Sequence, residues 1–334
     1  SGLTVCTGVK NVLSGDAEIE HRVEQKGAFC SLKRSIKKND TVRLVKYTII
    51  TDSIRWTDCR KQAVREMENA VSTPMEKLYE EQRMYLKSYW QKSLLEIEGD
   101  HDLNLAVRYN LYQLMQSAGK DKHGTIAAKG LSGEGYEGHY FWDTEMYILP
   151  FFILTNPEIA KTLIEYRYHT LNDARENARI LGHQQGALYP WRTIMGKECS
   201  GYFPSGSAQY HINGDIAHAI VAYYLATRDF DFILDKGFEI ILETARLWLD
   251  TGHFYNGQFH IHEVTGPDEY TCMVNNNYYT NTCAQYNLHW AVRFFRMMEK
   301  AKKEEQLYQS KITSLFQKLQ LSISEIAAFE EAEK

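Results

Sequence analysis

Hydrophobic and polar positions follow a strand-like pattern only in the first part of the chain. Residues 42–50 are rich in β-branched and aromatic side chains and partly alternate, which predicts a strand. We expect two or three strands within residues 1–57, too few to make a sheet that is stable alone. This segment is interpreted either as the tail of a larger β domain or as a sheet that docks on the rest of the protein.

From Asp58 onward the spacing of apolar residues becomes helical. Thr73, Pro74 and Glu76 predict a helix start, with Thr as N-cap, Pro in the first turn and Glu closing a capping box. Residues 58–97 are therefore interpreted as a helical linker. Apolar residues recur in it at three- and four-residue spacing and predict one packed stripe: Met75, Leu78, Tyr79, Tyr85, Leu86, Tyr89 and Trp90.

Beyond Gly99 the predicted helices are joined alternately by short and long connections. The helices are predicted at 101–118, 143–154, 157–177, 211–227, 231–250, 276–301 and 305–318. The short joins are 155–156, 228–230 and 302–304, and the long joins are 119–142, 178–210 and 251–275. In the first short join we expect Asn156 as N-cap and Pro157 at the first helical position. Long structureless connections are usually functional. Because this alternation brings the long loops to one end of the helices, we expect them to surround a pocket.

Composition and charge narrow the range of partners. The 334 residues carry a formal net charge of −5, which gives no reason to expect a nucleic acid or an anionic membrane surface as the partner. No apolar run approaches the ~20 residues that span a bilayer, and the first residues lack the pattern of a secretory signal. The six cysteines are scattered without a C-x-x-C pair. We therefore expect reduced thiols and a cytoplasmic protein.

A metal enzyme is an alternative that rests on His260, His262 and Glu263. Two histidines at i and i+2 would share one face of a strand, but the sequence offers no third ligand beside them. We predict no metal and no other cofactor.

The three long loops contain the candidate chemistry. They combine aromatic rings, histidines, carboxylates and glycines, a mixture suited to a hydroxyl-rich ligand such as a sugar. Cleaving a glycosidic bond requires a carboxylic acid that protonates the leaving oxygen, and Glu269 in HEVTGPDEYT (262–271) can supply it. An acidic residue after Gly-Pro is more often part of a solvated turn, but the position of this loop among two other aromatic-rich loops favours catalysis.

Trp142 and Asp143 form a second candidate pair, at the start of a predicted helix. Trp142 could form one wall of a sugar subsite while Asp143 accepts hydrogen bonds from sugar hydroxyls. In the alternative interpretation, Asp143 only caps the helix.

Several motifs in the chain resemble glycoside hydrolase family 65, which contains the maltose, trehalose, kojibiose and nigerose phosphorylases. They are YEGHYFWDTE (136–145), YPWR (189–192), ECSGYFP (198–204), YHIN (210–213), TGPDEY (265–270) and VNNN (274–277). The resemblance implies a mainly α fold: an (α/α)6 barrel preceded by a β-sandwich and a helical linker. Residues 1–57 would then be the remnant of the β-sandwich domain, 58–97 the linker, and 98–334 the first part of the catalytic barrel.

The resemblance also implies inverting phosphorolysis of an α-linked glucose disaccharide. Glu269 would be the general acid, and inorganic phosphate would attack the opposite face of the sugar to give β-D-glucose 1-phosphate. Trp142 and Asp143 would hold the glucosyl unit. The other substrate-binding residues implied by the motifs are Tyr189, Trp191, Tyr202, His211, Asn213 and Tyr270.

The expected substrate comes from the segment 196–211. It resembles the kojibiose, nigerose and trehalose enzymes more than the maltose enzymes, and we favour kojibiose. Tyr202 and His211 are assigned to the acceptor sugar, although His211 could instead be a satisfied residue at a helix start.

The number of predicted helices departs from the family pattern. A complete barrel has twelve helices, and only six or seven are predicted before the chain ends in ISEIAAFEEAEK, a run with a capping box at Ser322 and Glu325. We therefore expect a chain truncated at both ends that lacks the phosphate-binding residues. The expected partners are a disaccharide and phosphate, and a homodimer is left open.

Two other functions remain open. An inverting hydrolase of the same fold, such as an acid trehalase, needs a second carboxylate that activates water. Asp268 and Glu263 are candidates, but both lie close to Glu269 in sequence. The third function is that of a catalytically incomplete carbohydrate-binding fragment, which would bind sugar without turnover.

Overall fold

The structure, a computed structural model, describes residues 2–25, 27–131 and 133–334. It divides into two compact units, one ending at Ser88 and the other comprising Tyr89–Lys334. As predicted, it is mainly helical with a small N-terminal β segment. None of the described helices is long and apolar enough to cross a membrane.

The described residues of the first unit form four strands in two separate sheets. They are β1 (Val5–Leu13), β2 (Glu18–Glu24), β3 (Gly27–Lys33) and β4 (Leu44–Asp52). β1 pairs antiparallel with β4, and β2 pairs antiparallel with β3. The strand predicted at 42–50 is confirmed as β4, but the prediction of two or three strands is wrong. β2 is exposed over its whole length, so burial imposes no apolar alternation that periodicity could detect.

Two helices follow the strands: α1 (Cys59–Ser72) and α2 (Met75–Ser93). α1 packs against β1 and β4, and the buried hydroxyl of Thr51 donates to the Cys59 carbonyl at 2.7 Å. The predicted start of α2 after Pro74 is confirmed. Thr73 also closes α1, because its hydroxyl donates to the Asn69 carbonyl at 2.7 Å. Part of the predicted apolar stripe, including Tyr79, is exposed.

The second unit is built from helices joined by irregular loops. The helices are α3 (His101–Ser117), α4 (Leu149–Thr155), α5 (Pro157–His169), α6 (Leu171–Ile180), α7 (Pro204–Ser207), α8 (His211–Thr227), α9 (Phe230–Phe232), α10 (Phe238–Thr251), α11 (Tyr278–Glu304), α12 (Gln306–Lys318) and α13 (Ile323–Ala332). Single π-helical turns at Thr144–Ile148 and Ile233–Gly237 lead into α4 and α10, and Tyr136–Gly138 is a short 3₁₀ turn. The third long loop contains a small hairpin of β5 (His253–Tyr255) and β6 (Gln258–His260).

Each of the seven predicted helical segments corresponds to helical structure, and one of them is divided into two helices. The segment 157–177 forms two helices, α5 and α6, that meet at Thr170, whose hydroxyl donates to the Tyr166 carbonyl at 3.0 Å. Pro157 begins α5 as predicted. Asn156 occupies the N-cap position of α5 as predicted, but its side chain makes no capping hydrogen bond, and its amide donates to the Ser93 hydroxyl at 2.6 Å. The Ser322 cap of α13 is confirmed.

α8 lies at the centre of the second unit, in contact with α4, α5, α10 and α11. Its residues are buried on nearly every side, as expected for a helix that is apolar all round. Gly214 allows the close approach of α11, since a Cβ at this position would lie 2.4 Å from the Cβ of Cys283. α10 and α11 are joined by the buried Trp248 indole N–H, which donates to Asn287 at 3.0 Å.

Ion pairs link α6, α10 and α12 around the largely buried carboxylate of Glu239. Arg175 donates to this carboxylate at 2.8 Å and Lys318 at 2.6 Å. Burial by itself raises the pKa of Glu239, but the hydrogen bonds from Lys318 and Arg175 outweigh it and hold the pKa below its ordinary value of 4.5.

Candidate active site

A buried ion pair anchors the first long loop where it enters α4. Arg167 on α5 donates to both carboxylate oxygens of Glu145, at 2.7 and 2.9 Å, and each side chain is only 2% exposed. Burial by itself lowers the pKa of Arg167, but the charge of Glu145 outweighs it and raises the pKa above its ordinary range. Arg167 also donates to the Phe141 carbonyl at 3.4 Å. These bonds fix the backbone on both sides of Trp142 and Asp143.

Trp142 and Asp143 are placed differently from each other. Trp142 is half-buried and packs edge-to-face against His211, with ring centroids 4.9 Å apart. Asp143 is exposed, and its carboxylate makes no capping hydrogen bond to the helical turn that follows. The expected alternative role of Asp143 as a helix cap is therefore wrong.

The first and second loops are joined by backbone and aromatic contacts. Tyr140 and Thr193 exchange two backbone hydrogen bonds of 2.7 and 3.1 Å. The half-buried ring of Trp191 packs edge-to-face on Phe141 at 5.2 Å. Gly206 lies so close to Trp191 that a Cβ would approach the indole to 2.6 Å. The aromatic residues of the second loop thus pack directly on the segment that carries Trp142.

Tyr189 and Asn213 are fully buried, and their polar groups are bonded within the protein. The Tyr189 N–H donates to Asn213 at 3.0 Å, and the Asn213 amide donates to the Ala187 carbonyl at 2.8 Å. The Tyr189 hydroxyl donates to the Arg167 carbonyl at 2.7 Å. In this arrangement both residues hold the second loop against α5 and α8, and contact with a sugar would require these bonds to break.

Tyr202 lies exposed on the second loop, next to a cation. Its hydroxyl accepts a hydrogen bond from Arg192, whose guanidinium also lies over its ring at 5.3 Å from the centroid. Arg192 pairs in addition with Glu137 of the first loop at 3.0 Å. Tyr202 therefore offers an accessible aromatic face next to a positive charge.

Glu269 lies at the tip of a tight turn in the third loop. The Thr271 N–H donates to the Asp268 carbonyl at 3.0 Å, and the Asp268 carboxylate accepts from the Tyr270 N–H at 3.1 Å and the Thr271 hydroxyl at 3.2 Å. The carboxylate of Asp268 is therefore occupied in shaping the turn. Glu269 is exposed beside it, and Tyr270 is 98% exposed.

The base of this turn is fixed to the second loop and to the start of α11. The Thr265 N–H donates to the Ala208 carbonyl at 3.0 Å, and Val264 and Val274 exchange two backbone hydrogen bonds of 3.0 and 2.9 Å. Gly266 packs on the side chain of Asn277, which a Cβ would approach to 2.4 Å. The position of Glu269 is thus set by contacts to two other elements.

A row of polar side chains leads from Glu269 into the protein. The buried amide of Gln209 donates from Nε2 to Glu269 Oε1 at 3.3 Å, and its Oε1 lies 3.1 Å from His211 Nε2. His211 is fully buried, and its Nδ1 lies 2.7 Å from the Asp215 carboxylate. His211 therefore bridges Trp142 on one side and the Gln209–Glu269 contact on the other.

The sequence matches two family models over nearly its whole length. The glycosyl hydrolase family 65 central catalytic domain matches residues 108–333, and the N-terminal domain of the same family matches residues 1–89. The chain belongs to glycosyl hydrolase family 65.

Its family 65 relatives include disaccharide phosphorylases. An α,α-trehalose phosphorylase of Geobacillus stearothermophilus is 51% identical over 285 residues, which cover 85% of this chain and 36% of the relative. An α,α-trehalose phosphorylase of Thermoanaerobacter brockii is 44% identical over 339 residues, covering 99% and 43%. A solved structure described as a candidate kojibiose phosphorylase from the human microbiome superposes with a TM-score of 0.83 at 27% identity, covering 99% of this chain and 43% of that one. The chain thus spans under half the length of each.

The histidines considered for a metal site lie in the third loop, where they pack ring against ring. The ring centroid of His262 lies 4.6 Å from that of His253 and 6.0 Å from that of His260. The Asn276 amide contacts His260 Nδ1 at 2.9 Å. Within the described residues, no group of three or more His, Cys, Asp or Glu side chains is arranged to hold a metal ion.

Sequence reasoning missed the residues that anchor the site. Glu145 lies within a quoted motif, but its partner Arg167 is distant in sequence and nothing in the pattern pairs them. Asp215 could have been found, because it follows His211 by one helical turn and the two share a helix face. Gln209 carries no motif signal of its own, and only the folded loops bring it to Glu269.

Proposed function

We propose that the protein containing this chain is an inverting phosphorylase that converts an α-linked glucose disaccharide and phosphate to β-D-glucose 1-phosphate and glucose. The observation that carries this proposal is the set of contacts that bring the three long loops together. Gln209 contacts the exposed carboxyl of Glu269, and its neighbour His211 packs against Trp142. Family membership and the phosphorylase relatives support the same reaction.

In the proposed reaction, Glu269 is the general acid. Its proton moves to the glycosidic oxygen as the bond from that oxygen to C1 of the glucosyl unit breaks. A phosphate oxygen forms the new bond to C1 from the opposite face, which inverts the α configuration to β. Phosphate is the co-substrate, and no protein base or cofactor is needed.

We assign sugar contacts to the accessible residues around Glu269. Asp143 would accept hydrogen bonds from the glucosyl hydroxyls, and Trp142 would form the wall beside it. Tyr202 and Tyr270 would face the acceptor sugar, supported by their exposure on neighbouring loops. His211 has no exposed surface, so we assign it to packing against the Trp142 ring from inside the protein.

For the substrate we propose trehalose first and kojibiose second. The segment 196–211 favours a kojibiose-type enzyme, but two relatives named trehalose phosphorylases are 51% and 44% identical to this chain. We propose that the helices form the first part of an (α/α)6 barrel, supported by the 0.83 TM-score to the solved structure. A cytoplasmic location remains part of the proposal, supported by six cysteines that form no disulfide in the structure.

An inverting hydrolase is the less favoured alternative. Such an enzyme needs a second carboxylate that activates water from the opposite face of the sugar. Asp268 is engaged by Tyr270 and Thr271 of its own turn, which argues against it as that base. A sugar-binding fragment without turnover is the other alternative for the isolated chain, which spans 36% to 43% of the two relatives.

The test is release of β-D-glucose 1-phosphate from trehalose, kojibiose, nigerose and maltose, with and without phosphate, by the natural polypeptide that carries this sequence. Phosphate-dependent release from one sugar supports the proposal and names the substrate, whereas release of glucose without phosphate identifies a hydrolase. Glu269→Gln should reduce turnover by about 10²- to 10⁴-fold, the usual contribution of a general acid. Glu263→Gln is the matched control in the same loop, and equal losses in both variants would remove Glu269 from its role.

A further inference from the structure

We infer that Gln209 is a positioning residue for Glu269, and that its amide makes Glu269 and the buried His211–Asp215 pair share one proton. The inference rests on the proposed function, in which Glu269 is the general acid. It assigns roles to Gln209 and Asp215, which no motif singled out, and a new role to His211.

The geometry forms a continuous row from the surface to the core. Gln209 is 2% exposed, and His211 and Asp215 are fully buried. The three contacts measure 3.3 Å from Glu269 to Gln209, 3.1 Å from Gln209 to His211, and 2.7 Å from His211 to Asp215. Of these four described residues, Glu269 alone is exposed, so we expect a proton to enter the row at that residue.

Asp215 fixes which nitrogen of His211 carries hydrogen. Its Oδ1 accepts from the Tyr279 hydroxyl at 2.7 Å and from the Cys283 thiol at 3.7 Å, while its Oδ2 faces His211 Nδ1. Because Oδ1 already accepts from two donors, we take Asp215 to be ionised, so that Oδ2 accepts a hydrogen bond from His211 Nδ1–H. The proton that His211 can gain or lose is therefore the one on its other nitrogen, Nε2.

The Gln209 amide can satisfy the row in two arrangements that hold the same number of protons. In the first, Gln209 donates from its nitrogen to an ionised Glu269, and its oxygen accepts from His211 Nε2–H of an imidazolium. In the second, the amide is turned by 180°, its oxygen accepts from a protonated Glu269, and its nitrogen donates to the bare Nε2 of a neutral imidazole. Only the second arrangement is ready to protonate the substrate.

Removing the shared proton leaves one contact unsatisfied. With an ionised Glu269 and a neutral His211, the amide oxygen must face either a carboxylate oxygen or the lone pair of Nε2. Such a lone-pair contact in a buried site is unfavourable, so the row as a whole favours holding one proton. We therefore expect the acid form to persist to higher pH than it would without Gln209.

Among the described residues, three other titratable groups lie near this proton, and one of them, the half-buried His218 on α8, interacts electrostatically with Asp215. From α11, Tyr279 and Cys283 face Asp215, and the Tyr279 ring packs on His211 with centroids 5.3 Å apart. From the first loop, the ring of Trp142 packs on His211. Because Gln209 contacts both Glu269 and His211, the coupling between them is expected to run through its amide.

The first experiment compares pH–rate profiles of the wild-type enzyme and Gln209→Met, which keeps the chain length and removes both amide groups. We expect the alkaline limb of kcat/KM for the disaccharide to move down by about one pH unit in the variant. With α-glucosyl fluoride, whose leaving group needs no proton, the variant should stay near wild type. Gln184→Met, an exposed glutamine of the same loop, is the matched control and should change neither profile.

Two results of this experiment would overturn the inference. One is an alkaline limb that does not move. The other is an equal loss of rate for the disaccharide and for the fluoride, because a purely structural role for Gln209 would affect both substrates.

A second experiment does not depend on activity. Nitrogen-15 NMR of labelled histidines reports protonation of His211 Nε2, with the signal assigned by His211→Asn. We expect the titration of Nε2 to shift in Gln209→Met and in Glu269→Gln, whose exposed position leaves the core intact. An unchanged titration in Glu269→Gln refutes the shared proton even if Gln209→Met fails to fold. A wild-type enzyme without phosphorolysis would refute the proposed function, and the NMR result would then decide the proton coupling by itself.

Discussion

Replacing Arg167 by Met tests whether the buried ion pair holds the first loop. The change removes the cation that pairs with Glu145, while the carboxylate stays buried with a 2% exposed side chain. Among the residues that the structure describes, Glu145 has no second ion-pair partner. The variant is therefore expected to be strongly destabilised.

The magnitude can be worked from the bonds that are lost. Arg167 makes two charge-assisted hydrogen bonds to Glu145, at 2.7 and 2.9 Å. At about 1.5–3 kcal/mol for each such bond, the loss is about 3–6 kcal/mol. Removing one member of a buried pair typically costs about 3–5 kcal/mol, in agreement. The exposed pair of Arg108 and Glu96, at 3.1 Å, should contribute no more than about 1 kcal/mol.

The assay is urea unfolding followed by tryptophan fluorescence, with Arg108→Met as the matched control. A double variant, Glu145→Leu with Arg167→Met, replaces both charges by apolar groups and should recover most of the lost stability, because no unpaired charge remains. The reasoning is refuted if Arg167→Met loses less than about 1 kcal/mol, or if the double variant is as unstable as the single one.

Three further predictions concern neighbouring features. Asp143→Ala should lower kcat/KM by about 10- to 100-fold, the loss of one hydrogen bond to a charged group, with an unchanged circular dichroism spectrum; unchanged kinetics would remove Asp143 from the sugar site. Gly214→Ala should lower the free energy of unfolding by about 1–3 kcal/mol by forcing α8 from α11, whereas Gly201→Ala meets no atom within 4 Å and should be neutral; equal effects in urea unfolding would contradict this. The pKa of Glu239 is lowered in the fold, so its stabilising contribution is complete above its unfolded value of about 4.5 and is lost as pH falls through the lower folded value. Glu239→Gln should therefore destabilise at pH 7 and much less at pH 3, and a destabilisation that grows on acidification would contradict this sign.

The helices were predictable because their signals are local. Apolar periodicity depends only on which face of a helix is buried, so the segments that became α3, α8 and α11 could be found without tertiary information. Where a tertiary contact competes with a local preference, the position of a residue could be predicted but not its hydrogen bond. Asn156 stands at the N-cap position of α5 as predicted, but its amide donates to the Ser93 hydroxyl and its side chain makes no capping hydrogen bond.

The candidate site was predictable only in part, for the same reason. Glu269 and Asp143 could be proposed because both lie in loop motifs that resemble family 65, and because a carboxyl group can protonate a glycosidic oxygen or accept hydrogen bonds from sugar hydroxyls. The partners that hold them could not, because Arg167 is 22 residues from Glu145 and Gln209 is 60 residues from Glu269. These partners meet only in the folded protein, and no local sequence pattern indicates which residues will pair.

The loops of the site share a division between buried anchors and exposed groups. Glu145, which follows the exposed Asp143 by two residues, forms a buried ion pair with Arg167. In the same way, the buried Gln209 contacts the exposed Glu269. Ordering a long loop has an entropic cost of about 1–2 kcal/mol per residue, and a few buried polar contacts with defined geometry can offset part of it. Asp143 is then held in place through its neighbours, and Glu269 through its one contact with Gln209, which leaves both carboxylates accessible. Substitutions at the buried anchors should therefore reduce activity by displacing Asp143 or Glu269, even though the anchors touch no sugar.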